Sequence, residues 1–465
     1  MKPLLLIGFC LMAALGWAQE RTLINIEHAN QFHKASGSEA VLLKGDVRIR
    51  HDNVLFFCDS AYYVEGRYAE FFSNVRMMDD STLLETEYLT YDRDQHLASY
   101  PDHGVTTRGD RKLVSEMGFY RDDLKEFSFY RQVVVTSPKH QMLTDTLHYN
   151  TRLERMWFQG PTTILNEDNT LEGTHGYYLT QRDLAYLDEQ PVMYNETQTL
   201  TADSLLYDRQ NGFAKAMNRI QMTDTSYKVI LRGQYAELWE KTGYSFATDH
   251  AYAVYYDDPD SLFITSDTLF YLFKTELNDE EMIIGRRQVR FYKSDMQGRC
   301  DTMTYHMADS TIRMRVDPVL WTDDSQMTAD HIDIRIAHHA IDSLFQRGNA
   351  FIISKDTVEG YNQINGAEMV SKFIDGGIDH VDVEGNAKVI SWLREEDASL
   401  IGINKSSARR MRIVMKDKEI SLIRYYGNID ETLYPEKDLG ESERYLDGFL
   451  WREEERPLSR EDLIK

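Results

Sequence analysis

Several common features are scarce or missing in this sequence. Cysteine occurs only 3 times in 465 residues, and 52 Lys and Arg stand against 76 Asp and Glu. The resulting net charge of −24 opposes binding to nucleic acid and to anionic membrane surfaces, so no nucleic-acid partner is expected. After the first 18 residues, no apolar run is long enough to span a bilayer.

Familiar catalytic motifs are missing as well. The sequence has no G-x-S-x-G nucleophile elbow, no H-E-x-x-H zinc motif, no phosphate-binding P-loop and no C-x-x-C pair. Its many Asp residues lack the glycine-rich nonapeptide of calcium-binding β-helices. The sequence therefore predicts a protein that is not an enzyme and that carries no cofactor and no metal.

What is present begins with an export signal. Residues 1–20 read MKPLLLIGFCLMAALGWAQE, with one Lys, an apolar run from Leu4, and small residues Gly16 and Ala18 at a cleavage site. This pattern predicts a secretory signal peptide over residues 1–18. The residues before Cys10 lack the small residue that a lipoprotein signal requires, so no lipid anchor is expected.

An eight-residue pattern recurs along most of the chain. LTDTLHYN, TADSLLYD and TSDTLFYL share a small residue, then an acidic one, an apolar residue two positions later and a Tyr four positions later. Ten copies follow one another at steps of 28 to 34 residues, and eight of them have the Tyr. The acidic or polar positions are Asp59, Glu87, Glu116, Asp145, Thr174, Asp203, Gln234, Asp267, Asp301 and Asp330. Offsets of 0, +2 and +4 predict that these three positions share one face of a strand.

A second signature occupies the other half of each repeat. Two β-branched or apolar residues stand two positions apart, and turn sequences such as NEDN and YDDPD flank them. No long helical period appears between residues 19 and 428, so the array is expected to be all-β, with short antiparallel strands in repeats of about 29 residues. One unit cannot bury its own apolar face, so successive copies must stack as layers.

Cys58 and Cys300 hold equivalent positions in different copies. Stacking separates such positions by much more than the roughly 7 Å between Cα atoms that a disulfide allows. Both cysteines are therefore expected to be small buried residues rather than a disulfide pair.

The apolar columns predict an interior, and the sequence leaves its contents open. One interpretation is a dry core between two sheets. The other is a slit-like sandwich that takes an apolar ligand, which suits Tyr because its ring is apolar and its hydroxyl is polar. Gly118 and Gly176 stand in a column otherwise held by larger residues, and they either leave room inside or mark bulges.

A basic segment stands out near the end of the array. Lys405–Arg424 contains seven basic residues against two acidic ones. Arg409, Arg410 and Arg412 are candidates for contacting an anionic group. The alternative is a solvated edge hairpin whose charges discourage aggregation. Two alternating runs around Lys416–Glu419 predict that hairpin.

Three G-D or G-N steps into a strand complete the pattern. They are LKGDVRIR at 43–50, QRGNAFII at 346–353 and VEGNAKVI at 383–390. With the layer signature, they resemble the OstA-like superfamily over roughly residues 24–430. This family includes periplasmic bridge proteins of lipopolysaccharide transport and the amino-terminal periplasmic domain of the lipopolysaccharide-assembly translocon.

The resemblance implies a β-jellyroll, or β-taco, of antiparallel strands in two sheets that are open along one side. In that family the V-shaped interior carries lipid acyl chains, and the open end strands join neighbouring proteins. Carried onto this chain, the candidates for the lipid groove are Leu89, Leu147, Leu205, Leu269, Met303, Ile332, Tyr91, Tyr149, Tyr207, Tyr271, Val75, Val133, Ile220, Val289 and Val319.

The expected function follows from this resemblance. We expect a periplasmic, non-enzymatic protein that binds lipopolysaccharide or a lipid A-type glycolipid during its transport and outer-membrane assembly, in the periplasm or associated with the outer membrane. The expected partners are other envelope proteins of this transport system, joined through edge strands, with head-to-tail self-association as a further mode. Two alternatives stay open: a structural or adhesive β-solenoid with a filled core, and a polysaccharide-active β-helix enzyme.

The expected organisation has four parts. After the signal peptide at 1–18, the repeat jellyroll covers 19–360. Degenerate terminal repeats and the hairpin cover 361–430, and a charged, loosely docked tail covers 431–465, with one short helix after Ser459.

Overall fold

The structure is a computed structural model that describes residues 24–64, 66–256, 260–356, 358–395, 397–416 and 419–463. The predicted signal peptide lies outside these residues. The chain divides into two compact units, Met1–Leu153 (unit 1) and Glu154–Lys465 (unit 2). Within the described ranges, no helix has both the length and the apolar character needed to cross a membrane. The predicted boundaries at residues 360 and 430 stay predictions.

Both units are built from antiparallel strands, which confirms the all-β prediction. The described strands of unit 1 are β1 Asn25–His28, β2 Gln31–Lys34, β3 Ala40–His51, β4 Val54–Val64, β5 Tyr68–Asp79, β6 Thr82–Asp92, β7 Leu97–Tyr100, β8 Gly104–Arg108, β9 Arg111–Ser115, β10 Met117–Arg121, β11 Glu126–Thr136 and β12 His140–Asn150.

Unit 2 follows the same plan and ends in four short 3₁₀ helices. Its described strands are β13 Arg155–Asn166, β14 Thr170–Leu179, β15 Leu184–Asp188, β16 Val192–Tyr194, β17 Gln198–Thr201, β18 Ser204–Asp208, β19 Phe213–Asp224, β20 Val229–Trp239, β21 Tyr244–Tyr255, β22 Leu262–Leu272, β23 Met282–Lys293, β24 Met296–His306, β25 Thr311–Arg315, β26 Val319–Thr322, β27 Ser325–Thr328, β28 His331–Ala337, β29 Ala340–Lys355, β30 Tyr361–Ile374, β31 Gly377–Arg394, β32 Leu400–Lys416, β33 Glu419–Tyr426 and β34 Asp430–Tyr434. The 3₁₀ helices are Glu436–Asp438, Glu441–Arg444, Glu453–Glu455 and Arg460–Leu463.

Long strands bend at a two-residue bulge, which we call the corner. In β3, Gly45 and Asp46 both have positive φ angles of 78° and 48°, and they lie opposite the single residue Asp59 of β4. The G-N steps at 348–349 and 385–386 have the same left-handed conformation. An extra residue in one strand makes the pair bend and twist, and Gly, Asn and Asp tolerate this conformation best. The G-D and G-N steps of the sequence are therefore corners.

Each corner divides a layer between two walls. In the β3–β4 hairpin, residues 47–58 belong to the wall that we call wall A, and residues 40–44 and 60–64 belong to wall B. β1 extends wall A and β2 extends wall B. The division repeats through each unit, and at some corners the strand is split in two, as with β7 and β8.

The core of each unit lies between its walls. In β12, Met142 and Thr144 are buried in wall A, and Leu147 and Tyr149 are buried in wall B. The alternation breaks between them, where Asp145 and the residue after it both stay outside. The expectation that the acidic residue shares a face with the apolar residue and the Tyr is therefore wrong, because the bend reverses the alternation at that point.

The acidic residues at the corners bind the bulge of the next strand. Asn74 Nδ2 donates to Asp59 Oδ2 at 2.8 Å, and Arg219 Nε donates to Asp203 Oδ1 at 2.6 Å. Both contacts lie on exposed surface. The acidic residues of the repeat therefore stabilise the corners through hydrogen bonds on the outer surface.

Gly118 and Gly176 neither leave space in the interior nor mark bulges. A Cβ atom on Gly118 would lie 2.4 Å from the ring of Tyr100, and one on Gly176 would lie 2.8 Å from the ring of Phe158. Each aromatic residue is the direct cross-strand partner of its glycine. The ring thus covers the glycine, a known way to stabilise glycine in a sheet.

The carboxyl-terminal tail is docked more firmly than the sequence suggests. Leu439 is only 4% exposed and packs in a buried cluster with Ile390 and Ile403. The last 3₁₀ helix, Arg460–Leu463, follows Ser459, where a short helix was predicted. The predicted hairpin is present, because the second half of β32 pairs with β33. The first half of β32 pairs with β34.

Candidate functional site

The fifteen groove candidates all face the interior of their unit. Their exposed fractions run from 0 to 3%. The Leu, Met, Ile and Tyr candidates lie on wall B, and the Val candidates with Ile220 lie on wall A. Rings meet across the gap, as Phe56 of wall A and Phe71 of wall B have centroids 4.7 Å apart. The candidates therefore form one lining in each unit, and their contact with lipid stays a proposal.

The free ends of the two walls meet along a line opposite the corners, which we call the mouth. In unit 1 the Tyr91 hydroxyl lies 2.5 Å from His51 Nδ1, and the Tyr120 hydroxyl donates to Asp79. His51 and Asp79 end wall A segments, whereas both tyrosines are on wall B. The hydrogen bonds therefore close the mouth of unit 1.

The same arrangement closes unit 2. Asn169 Nδ2 donates to the Tyr207 hydroxyl at 2.6 Å, and the Tyr271 hydroxyl donates to Asp224 Oδ2 at 3.2 Å. The partners of the four tyrosines lie 38 to 47 residues earlier in the sequence. Periodicity pointed to the tyrosines, but their partners at the ends of wall A were missed because they follow no short pattern.

A charged group supports the mouth of unit 1. Asp122 accepts hydrogen bonds from the Tyr91 hydroxyl at 2.6 Å and from His96 Nδ1 at 2.7 Å. Burial works to raise the pKa of Asp122, but the His51 side chain 3.9 Å away and the hydrogen bonds from Tyr91 and His96 outweigh burial and hold that pKa below its ordinary value. Burial and the Asp122 carboxylate raise the pKa of Tyr91. The proton therefore stays on the tyrosine and the charge on the aspartate.

The mouth of unit 2 contains a carboxylate with the opposite tendency. The Tyr207 hydroxyl donates to Glu240 Oε2 at 3.0 Å, and Asn169 Nδ2 donates to Oε1 at 3.2 Å. Burial nevertheless raises the pKa of Glu240, because these two hydrogen bonds offset only part of its desolvation.

The mouth opens in the last layers of unit 2. The tyrosine position is taken there by Ile334, Ser371 and Ile413. A cavity of about 270 Å³ lies between the ends of the walls, and we call it the mouth pocket. Its apolar side consists of Ile378, Leu393, Met415 and Ile420, and its polar rim includes Asp323, Lys355, Asp356, Ser391 and Arg394. Access to the interior there does not require a tyrosine hydrogen bond to break.

Free space is smaller further along the interior of unit 2. A cavity of about 10 Å³ lies among Ala214, Ala216, Ala236 and Ala247. Such a volume holds no more than one water molecule. The two walls are therefore in contact with each other there.

The predicted anion-contact residues lie together on β32. Arg412 binds Asp382 through two hydrogen bonds of 2.6 Å, and Arg410 Nη1 lies 3.7 Å from Glu384 Oε1. Arg409 is exposed and takes the corner position that is acidic in earlier layers. Contact with an anionic group stays a prediction. Among the described residues, no group of His, Cys, Asp and Glu is arranged to hold a metal ion.

Comparison with known proteins gives a family match and matches to solved structures. A family model described as OstA-like protein matches residues 21–68 and 62–145. A crystal structure of LptH from Pseudomonas aeruginosa, described as the LptA-homologous periplasmic component of the lipopolysaccharide transport device, is similar at 13% identity and a TM-score of 0.25, over 30% of this chain and 99% of that one. No curated protein matches the chain. Residues 21–145 are therefore similar to an OstA-like protein, and over that part of the chain the match agrees with the resemblance drawn from the repeat.

Proposed function

We propose that this chain is an exported, non-enzymatic protein that binds lipopolysaccharide or a lipid A-type glycolipid in the periplasm. In this role it takes part in transport of the glycolipid and in outer-membrane assembly. The observation that carries the proposal is the apolar interior, to which every layer of a unit adds the same columns. The OstA-like sequence of residues 21–145 supports it.

The energetics suit a reversible carrier. Transfer of a 12-carbon acyl chain from water into an apolar interior stabilises it by roughly 10 kcal/mol, at ~0.8 kcal/mol per CH₂. A chain between the walls replaces wall-to-wall contacts with wall-to-lipid contacts of the same kind. The remaining cost is the loss of mouth hydrogen bonds, each worth about 0.5–1.5 kcal/mol. The mouth pocket lacks them, so we place the first contact with lipid there.

The outermost strands provide surfaces for partners. β33 and β34 each pair along one side with β32 at the end of unit 2, and β1 and β2 each pair with β3 at the start of unit 1. Free strand edges accept a further strand from another protein. We propose that other envelope proteins of the transport system, or further copies of this chain, join there.

A matched pair of leucines on β12 tests the interior. Leu147 is fully buried between the walls, whereas Leu143 on the same strand is 38% exposed. A photo-crosslinking amino acid at position 147 should capture lipopolysaccharide in cells, and the same residue at 143 should not. Equal capture at both positions, or capture at 143 alone, would exclude lipid between the walls. Met415, Leu205 and Asp203 extend the test to unit 2, with Asp203 as the outside control.

A structural β-solenoid with a filled core is the second candidate. The contact between the walls near Ala216 and Ala236 favours it, because little space is free there. This role predicts that no lipid accompanies the protein during purification. Mass spectrometry of lipids retained by protein from its native envelope separates the two functions.

A further inference from the structure

The last segment of the chain lies on the outside of wall A in unit 2. We call residues 435–463 the strap. Gln297, Gln326 and Gln363 stand four positions before the corners of three successive layers. This position faces outward, yet the three side chains are only 4, 1 and 0% exposed. The strap accounts for their burial, because each glutamine is hydrogen-bonded to it.

Two of these glutamines bind the strap backbone in the same way. Gln363 Nε2 donates to the Arg444 carbonyl at 2.8 Å, and its Oε1 accepts from the Leu446 amide at 2.8 Å. Gln326 repeats this pattern six residues further along the strap. Its Nε2 donates to the Leu450 carbonyl at 2.7 Å, and its Oε1 accepts from the Arg452 amide at 2.6 Å.

The geometry amounts to recognition of an extended peptide. In both cases the side-chain amide binds the carbonyl of one residue and the amide of the residue two positions later, as a neighbouring β-strand does. These bonds involve no side chain of the strap. Several earlier layers carry apolar residues at this position, which cannot bind a peptide in this way: Leu55, Leu83, Ile230 and Phe263. Gln141 has the same position in its layer, but its side chain is exposed.

The strap also contacts the rim of the mouth pocket. Lys355 Nζ lies 2.5 Å from Glu453 Oε2, and Arg456 Nη1 donates to the Asp323 carbonyl at 2.7 Å. The Lys355 ammonium also lies 5.4 Å from the centre of the Trp451 ring. Lys355 and Asp323 both line the pocket. The position of the strap and the shape of the pocket are therefore physically connected.

We propose that Gln326 and Gln363 form a binding site for an extended peptide, that the strap occupies this site in cis, and that its occupancy limits the width of the mouth pocket. When the strap leaves, Lys355 and the Asp323 carbonyl lose their contacts with Glu453 and Arg456, and the wall A rim becomes free to move. This inference concerns the protein alone and does not depend on lipid as the ligand.

A double variant, Gln326→Glu with Gln363→Glu, tests the peptide site. A carboxylate cannot donate to the Arg444 and Leu450 carbonyls, but a protonated carboxyl group can. We therefore expect release of the strap at pH 7.5 and its return at about pH 4.5, near the ordinary pKa of glutamate. Hydrogen exchange of the Leu446 amide should be at least tenfold faster at pH 7.5 than in the wild-type protein, after correction for the intrinsic rate.

Access to the mouth pocket is measured by adding Met415→Cys to the same double variant and following the alkylation rate of the new thiol. Release of the strap should speed its alkylation several-fold at pH 7.5. Gln141→Glu is the matched control, because Gln141 has the same position in its own layer and its side chain is exposed rather than buried. Cys300 is buried and free, so its continued lack of reaction shows that unit 2 stays folded.

A second variant keeps the test valid if the double variant unfolds. Glu453 is exposed, and Glu453→Gln removes its ion pair to Lys355 while the amide oxygen can still accept the hydrogen bond from Trp451 Nε1. It should also speed alkylation at Met415→Cys, while the Leu446 amide stays protected. Unchanged exchange of the strap in the folded double variant would overturn the peptide site. Release without faster alkylation would overturn control of the pocket, and a strap-exchanged dimer would overturn occupancy in cis.

Discussion

Lys125 Nζ lies 2.5 and 2.7 Å from the two carboxylate oxygens of Asp79. Asp79 ends β5 on wall A, and Lys125 belongs to the turn between β10 and β11 on wall B, so this ion pair joins the two walls of unit 1. The Asp79 side chain is 1% exposed. Burial of a charged group costs free energy unless the group is paired and hydrogen-bonded.

Removal of one member of the Lys125–Asp79 ion pair should therefore lower the free energy of unfolding far more than removal of both. Lys125→Met leaves the Asp79 charge buried and should lower the free energy of unfolding of unit 1 by about 3–5 kcal/mol. Adding Asp79→Asn should recover at least half of this loss. Lys112→Met, on an exposed residue of the same unit, should change stability by less than about 0.5 kcal/mol. Urea unfolding measures all three, and a harmless Lys125→Met would contradict the role of the mouth in stability.

The contact of Tyr100 with Gly118 gives a second prediction. Gly118→Ala places a methyl group 2.4 Å from the Tyr100 ring and should destabilise unit 1 by about 1–3 kcal/mol or more. Combination with Tyr100→Val, which removes the ring, should make Gly118→Ala nearly neutral. A double-mutant cycle in urea measures this coupling. Additive losses would mean that the ring does not occupy the space above the glycine.

The repeat was enough to predict the layers but not the corners. Buried positions such as Leu147 and Tyr149 follow a period of two within one half of a strand, and that period is visible in the sequence. A bulge inserts one residue and shifts the period, so the acidic position came out on the wrong face. A glycine indicates the corner at Gly45. The corner at 131–132 has the same left-handed φ angles on Arg and Gln, and the local sequence does not predict it.

The mouth and the strap could not be predicted for a different reason. His51 is 40 residues from Tyr91, and Gln326 is 126 residues from Arg452. Such pairs are set by the register of stacked layers and by the path of the tail. Periodicity predicts on which face of a strand a residue lies, but it does not predict which residue of another layer contacts it.

The two buried thiols predict independent probes of the two units. Burial raises the pKa of Cys58 in unit 1 and of Cys300 in unit 2 to about 12. Alkylation requires the thiolate, so both should react at least a hundredfold more slowly in the folded protein at pH 8 than in 8 M urea. Mass spectrometry with increasing urea should give one unfolding curve for each cysteine. Rapid labelling of Cys58 without urea would show that the first layers of unit 1 open readily.

The Glu240 carboxylate predicts how the stability of unit 2 depends on pH. Its pKa is raised in the folded protein by burial, so folding favours the protonated form. The stability that this group contributes is fully present below its unfolded pKa, near 4.5, and is lost as the pH rises through the higher folded value. Glu240→Gln is neutral at every pH and can still pair with Tyr207 and Asn169.

Unit 2 of the Glu240→Gln variant should therefore match the wild type at pH 4 and exceed it in stability at pH 7, with tryptophan fluorescence in urea as the measure. Glu196→Gln, on an exposed turn, should leave the difference between pH 4 and pH 7 unchanged. Asp122 gives unit 1 the opposite trend, because its pKa is lowered and its contribution is lost as the pH falls below about 3.8. A variant that loses stability at pH 7 would instead mean that the charged form of Glu240 is the one that holds the mouth of unit 2 closed.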